Sequence, residues 1–529
     1  MGLDISTLCR IRWRAVDVRA GAAFSRVALA SAAMATAFAG AASGGEARHP
    51  EVLIVVNGES AISKAIGEYY RGRRKIPTSN VMRLSLPLAD PTLSGAAQET
   101  VDRRTFVEQI RDPIEKFLTE TGLAETIEII VTTKGIPLRV YEGTEQANPS
   151  ALRDVRSASV DAELALLFSG RDGAPGVAAT RNPYFNSKEA FAAFRKRHPE
   201  SPLRYLTARL TAYQDPPEAE SDGRVPRDVK SLIDEAQGRE SGRIYLIDED
   251  PTQPGERAPG NQLLLTPAAA ALKALGLTVF HDRAAAFRFG VAEIGGYASW
   301  GSNDRHDPGQ PFYGEIGERR YPGTFASRAI TADIVSSNAR SFVHPPRYGQ
   351  SLVADLIRMG AAGAAGHVAE PMLAAVARPH ILLRRYAQGI PAVEAYFRSI
   401  PYLGWMNVYI GDPLMKLDRK APADPADLDG DGVPDEHDNC TEVPNSDQRD
   451  TNGDGYGNPC DADVDGDGMV TTTWSAPPYG DIESIQLVIA RGGYSPDHDF
   501  DGDGKVDADD VAWAAAVLFL KPGPSGLAP

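Results

Sequence analysis

Read only for apolar and polar positions, the first third of the chain alternates short buried runs with amphipathic stretches. Glu51-Val-Leu-Ile-Val-Val-Asn57 is continuously apolar between polar ends, the pattern of a strand covered on both faces. Ile62 to Lys75 carries apolar residues at helical spacing and stops before Pro77, which predicts an amphipathic helix. Val81–Leu86 predicts a second strand, Arg103–Thr121 a second helix closed by Gly122, and Thr126–Thr132 a third strand. The order β-α-β-α-β predicts a doubly wound α/β fold, a mostly parallel sheet with helices on both faces.

From Tyr141 to Glu240 the pattern becomes irregular and rich in Pro, Gly and charge, and it reads as a large insertion, 141–240. Regularity returns with strands at Arg243–Asp248, Leu277–His281 and Ile294–Trp300, and helices at Thr266–Leu275, Gln350–Met359 and much of Pro379–Arg398. Gly360–Gly366 is small enough for close backbone packing, and Trp405–Ile410 leads into Gly411-Asp412-Pro413. A polar run with Ala-Pro and Asp-Pro steps then marks a linker, 418–426, so the α/β domain is expected over 50–417. Ligands of such sheets bind at the C-terminal edge. Trp300, Ser302, Asn303, Asp304 and Glu370 are the candidate pocket residues there. The plainer readings are packing for Trp300, a hydrogen-bonded turn for 302–304 and a helix cap for Glu370.

Beyond the linker the periodicity changes to an acid at every second position. A calcium loop of the EF-hand kind needs oxygen ligands at positions 1, 3, 5, 9 and 12 and Gly at position 6. Asp427, Asp429, Asp431, Asp435 and Asp438 with Gly432 satisfy this fully. So do Asp450, Asn452, Asp454, Asn458 and Asp461 with Gly455, and Asp499, Asp501, Asp503, Asp507 and Asp510 with Gly504. A fourth set, Asp463, Asp465 and Asp467 with Gly468, meets Trp474 at position 12. Either an insertion lets Asp481 close that loop, or its site is weak. Ca2+ is therefore the expected cofactor. Loops closed by Asp, rather than by a longer bidentate Glu, are expected to bind at roughly 10⁻⁴–10⁻³ M.

Charge sharpens this division. Residues 421–529 hold 24 acidic side chains against 4 basic ones, a net −20, whereas the whole chain carries −16, so the remainder carries +4. A segment so acidic repels itself unless cations sit among its carboxylates. Neither half shows the basic footprint of a nucleic-acid binder. At the other end Arg10, Arg12, Arg14, Arg19 and Arg26 precede an Ala-rich apolar run, Val27–Gly40, and a small-x-small Ala39-Gly40-Ala41. That is the layout of a cleaved signal peptide, 1–45, and predicts a secreted or cell-surface protein. No later run is long and apolar enough to span a bilayer, so the mature chain is expected to lack a transmembrane segment.

Several resemblances add to this reading. Asp438-Asn439-Cys440, Asn445, Gln448, Asp450 and Asn458-Pro459-Cys460 closely resemble a thrombospondin type 3 repeat over 427–462. The resemblance implies that Cys440 and Cys460 pair and that the chain wraps around calcium with little core. The last two loops lead into apolar helices, Asp481–Ala490 and Asp509–Leu520. Residues 463–521 thus resemble a dockerin-like calcium pair, which implies a cohesin-like or cell-surface protein partner, with a generic EF-hand pair as the alternative. In the body, Met359-Gly-Ala-Ala-Gly363, Gly366-His-Val-Ala-Glu-Pro371 and Gly296-Tyr-Ala-Ser-Trp-Gly-Ser-Asn-Asp304 resemble an uncharacterised exported bacterial family of exosortase-carrying genomes. More remotely, the strand order and Gly411-Asp412-Pro413 resemble gingipain-type cysteine peptidases of the caspase-like fold. That resemblance places Trp300 at the catalytic histidine and Ser336 or Ser337 at the cysteine. Cysteine is absent between Arg10 and Asn439, so a thiolate mechanism is excluded and no catalytic residue is expected. The alternative is a hydrolase with a serine nucleophile activated by His306, His344 or His367.

Overall fold

The computed structural model describes residues 48–528 except 91, 94, 142–156, 172–179, 215–221, 243, 250–256, 285–287, 302–313, 317–318, 347–349, 420–423 and 473–479. The expected leader, 1–45, and Ser302, Asn303 and Asp304 lie outside the described residues. Ten strands form the main sheet: β1 Val52–Asn57, β2 Val81–Leu84, β3 Ile129–Thr133, β4 Leu206–Leu210 and β5 Ile244–Asp248. They continue with β6 Thr278–Asp282, β7 Val291–Ser299, β8 Gly323–Thr331, β9 Gly363–His367 and β10 Asn407–Gly411. Their order across the sheet is β6-β5-β7-β8-β9-β10-β4-β3-β1-β2. All neighbours run parallel except β9 and β10, which pair antiparallel from Gly363↔Gly411 to His367↔Asn407. Two parallel half-sheets therefore meet back to back, and their C-terminal edges lie on opposite rims.

Eight helices matter here: α1 Ala61–Arg74, α2 Asp112–Glu120, α3 Arg227–Glu235, α4 Thr266–Ala274, α5 Pro379–Ala387, α6 Ala392–Ser399, α7 Asp481–Ala490 and α8 Ala508–Ala516. Alternate residues of β1 face opposite layers. Val52, Ile54 and Val56 pack in one core with Ile62, Ile66 and Tyr70 of α1, while Leu53 and Val55 pack in another with Ile114 and Leu118 of α2. Each such fully buried aliphatic contributes about 1.5–3 kcal/mol. Gly67 lets α1 approach closely, since a Cβ there would stand 2.4 Å from Val56 Cγ1. Ser60 caps α1 by accepting from Ser63 N at 3.0 Å. The far end is fixed by Asp412, fully buried, which accepts from Tyr70 Oη at 2.7 Å and pairs with Arg74 at 2.6 Å. Asp412 also closes its own turn by accepting from Leu414 N.

The stretch 141–240, irregular by sequence, supplies β4 at the centre of the sheet. Arg209 obscures it, because a charge in a central strand contradicts the apolar pattern. Its guanidinium is fully satisfied: Asp161 Oδ2 at 2.8 Å and the Ile136 and Pro137 carbonyls, each at 2.8 Å. Thr132 Oγ1 donates to Asp161 Oδ1 at 2.6 Å, so both partners of the buried pair keep their hydrogen bonds. Among the described residues no helix is long and apolar enough to cross a membrane.

The acidic tail folds against this body rather than hanging from it. Ile485, Phe500 and Trp513 join the same continuous core as the body's Leu264, Tyr402 and Trp405. Arg385 pairs with Asp424 at 3.2 Å, and Tyr402 Oη donates to Leu518 O at 2.7 Å. Glu442, between the first two loops, is buried against α5, accepting from Arg384 Nη2 and Asn186 Nδ2, both at 3.0 Å. Burial raises the Glu442 carboxyl, but His380, Arg384 and Asn186 outweigh it and hold it well below the usual range.

Candidate metal centre

The four tail loops share one backbone device, dictated by the spacing of their side chains. The position-1 aspartate grips two amides further on. Asp427 accepts from Gly430 N and Gly432 N at 2.7 and 3.1 Å, and Asp450 from Gly453 N and Gly455 N at 2.7 and 3.0 Å. Asp463 accepts from Asp467 N and Gly468 N, and Asp499 from Gly502 N and Gly504 N. Position 3 then accepts from position 5: Asp429 from Asp431 N, Asn452 from Asp454 N, Asp465 from Asp467 N and Asp501 from Asp503 N, each at 3.1 Å. These Asx turns curl each loop so that alternate side chains converge. In the first loop Gly430 and Gly432 have φ of +73° and +97°, conformations that a side chain would strain.

Convergence brings together three carboxylate clusters. Asp427, Asp429 and Asp431 form one, Asp463, Asp465 and Asp481 the second, and Asp499, Asp501 and Asp503 the third, with one oxygen of each residue within 4.8 Å of the others. Calcium–oxygen distances of roughly 2.3–2.6 Å put two ligands of one ion at most about that far apart. Asp481, from the start of α7, thus stands where the third loop lacks an acid at position 12. It accepts from Asp465 N at 3.2 Å and Thr471 N at 2.6 Å; Trp474 lies outside the described residues. In the second loop Asn452 turns its amide nitrogen to Asp454 Oδ2 at 3.0 Å and Asp461 Oδ2 at 3.3 Å.

The later positions divide their labour. Asp435 accepts from Leu428 N at 2.7 Å, and Asn458 from Thr451 N at 3.0 Å, so both close their loops through backbone amides. Asp507 caps α8, and Asp510 accepts from Phe500 N and Asp507 N. Asp438 accepts from Cys440 N and Gln448 Nε2 through one oxygen. Its other oxygen, like Asp429 Oδ2, is buried without a hydrogen-bond partner. A buried, unpaired carboxylate oxygen is costly, and a cation is the partner that fits one facing further carboxylates. Electrostatics agree: burial, then Asp431, Asp438 and Asp427, push the Asp429 carboxyl up to about 8. Burial chiefly pushes Asp461 up to about 7 and Asp510 to about 6. Cys440 and Cys460 form a disulfide with Cα atoms 5.7 Å apart, tying the first loop to the second. In the chain-entropy model a bridge over so short a loop stabilises by roughly 3 kcal/mol.

At the rim of the body, Trp300 follows β7 and is buried. Its ring lies against Gly260, and its Nε1 donates to Asn261 Oδ1 at 2.6 Å. Glu370 is half-buried beyond the end of β9. β7 and β8 are neighbours, and Ser336 and Ser337 follow β8. Both hydroxyls engage Gln350: its Nε2 donates to Ser336 Oγ at 2.8 Å, and Ser337 Oγ donates to its Oε1. Neither is hydrogen-bonded to a histidine among the described residues. His367 is buried with Nδ1 3.4 Å from Val335 O, and burial lowers it to about 4. His344 stacks edge-on with Tyr213, and His306 lies outside the described residues. Sequence reasoning missed Asp333, a buried acid on this rim that accepts from Asn338 Nδ2 at 3.0 Å and that burial pushes up to about 7. Its only signal was an acid inside the apolar run Ile330–Val335. A cavity of about 500 Å³ opens on the opposite rim, after β1, β3 and β4, lined by Asn57, Ser60, Lys134 and Thr211 among others.

A search among curated proteins found no match to the chain. Residues 425–448 and 449–471 each match the thrombospondin type 3 repeat, a calcium-binding extracellular domain, and these two repeats contain the first two loops, the disulfide and the opening of the third loop.

Proposed function

We propose that this chain is an exported calcium-binding protein whose α/β body, of caspase or gingipain type, has no peptidase chemistry and serves as a cell-surface or scaffold binding module. The observation that carries the calcium reading is the first loop, where Asp429 and Asp438 each bury an oxygen without a hydrogen-bond partner beside the converging carboxylates of Asp427 and Asp431. The type 3 repeats and the disulfide support an extracellular setting, and the Arg-rich leader supports export. The lack of cysteine in the body and the engagement of Ser336 and Ser337 with Gln350 support a non-catalytic reading over a serine hydrolase. The dockerin-like pair supports a cohesin-like or surface partner.

Calorimetric titration of the whole mature chain with calcium tests the core of this reading. Three or four sites are expected, with Asp429→Ala and Asp501→Ala each removing about one while the body stays folded. Unchanged stoichiometry in both variants would refute the ligand roles. Release of the protein from cell envelopes by chelator tests the attachment; retention without calcium would sink it.

A further inference from the structure

A second cavity, of about 400 Å³, lies where the body meets the tail, a size typical of small-molecule sites. Leu264 lines it from α4's approach, and Val443, Val517 and Phe519 line it from the tail. Arg378 lies in the same wall and is 4% exposed. Among the described residues its hydrogen bonds go to carbonyl oxygens: Leu373 at 3.2 Å, Ala374 at 3.1 Å and Ala516 at 3.3 Å. Among the described residues no carboxylate pairs with it. A buried cation held only by neutral dipoles still lacks a counter-charge.

The rest of the lining leans the same way. Arg181 and Lys521 add exposed cations, and the one acid in the lining, Glu442, is committed to Arg384, Asn186 and His380. His380, nine-tenths buried, keeps Nδ1 without a hydrogen-bond partner. An apolar chamber with a buried, uncompensated arginine suits a ligand with an apolar body and one negative end.

We propose that this cavity binds a small apolar monocarboxylate, its head group on Arg378 and its chain along Leu264, Val443 and Phe519. Because both parts of the protein build the wall, such a ligand would also brace the tail against the body. The site does not depend on calcium occupancy.

The test uses the whole mature chain and three probes of equal chain length: decanoate, 1-decanol and decyltrimethylammonium, followed by calorimetry below their micelle thresholds. Decanoate is expected to saturate one site, with decanol weaker and the cation silent. Arg378→Gln should weaken decanoate by roughly ten- to a hundredfold, the worth of a charge-assisted hydrogen bond, and Lys521→Glu by a smaller factor. Val517→Trp, which fills the chamber from the tail side, should abolish binding, and it decides the matter if Arg378→Gln proves misfolded by near-ultraviolet dichroism. Absent or non-saturating decanoate binding, equal affinity for decanol, or undiminished binding in Val517→Trp would each overturn the proposal.

Discussion

Replacing Asp429 by asparagine should shift the stability of the calcium module in opposite directions with and without the cation. Asparagine keeps the oxygen that accepts from Asp431 N at 3.1 Å and removes only the charge. In the folded chain burial and three neighbouring aspartates push this carboxyl up to about 8, against about 3.9 in an unfolded chain. A carboxyl with a raised value is protonated more readily when folded. Its contribution to stability is therefore present at low pH and is lost as pH climbs from about 4 towards 8. At pH 7 the full linkage cost would be about 4 kcal/mol, and because the repulsion is shared among neighbouring aspartates the part that belongs to Asp429 is roughly 2 kcal/mol. In chelator the variant should be more stable by about that amount. In 10 mM calcium the parent gains about 2.7 kcal/mol per site if Kd is roughly 10⁻⁴ M, and the variant forgoes the gain of its first loop. Urea unfolding at pH 7, read by proteolysis within residues 427–521 in each solution, measures both. Equal destabilisation in chelator and in calcium would refute the reasoning and make Asp429 a structural acceptor only.

Asp481→Ala should lower the calcium stoichiometry by one, because Asp481 completes the cluster of Asp463 and Asp465; calorimetry showing no loss would return the third loop to a plain turn. Cys440→Ser opens the Cys440–Cys460 bridge and should cost roughly 3 kcal/mol, seen as faster tail cleavage; parent-like cleavage rates would contradict it. Glu442→Gln leaves Arg384 buried without its carboxylate and should weaken tail docking by about 3–5 kcal/mol, measured as separate melting of body and tail. Since Glu442 is held well below its ordinary value, the parent's docking stability is present above about pH 4.5 and declines as pH falls below it. A docking stability that is flat from pH 5 to 3 would argue against the ion pair.

The candidate metal residues were legible because their order is local. Asx turns and glycines act over two to five residues, so a template of positions finds Asp427 to Asp510 without tertiary knowledge. The three full templates nevertheless differ in space. Asn452 turns nitrogen towards Asp454 and Asp461, while Asp510 spends both oxygens on amides; side-chain orientation is decided by neighbours, not spacing. In the body, β1 and β3 announced themselves as apolar β-branched runs. β4 and β9 did not: Leu206-Thr-Ala-Arg-Leu carries a charge, and Gly363-Ala-Ala-Gly-His has no strand preference of its own. They are strands because β3, β8 and β10 offer them hydrogen-bonding edges and a packed site.

By itself, then, the sequence determined the class of the sheet, the acidic loops with their alternating carboxylates, and the absence of cysteine from the body, all of which follow from periodicity, composition and short-range geometry. Only the tertiary structure decided that two parallel half-sheets meet at β9 and β10, that Asp481 closes the third cluster from a helix ten or more residues away, and that Glu442 locks the tail to α5. Those outcomes depend on which distant groups satisfy a buried charge or a free strand edge, and the free energy of that choice lies in contacts that no local pattern records.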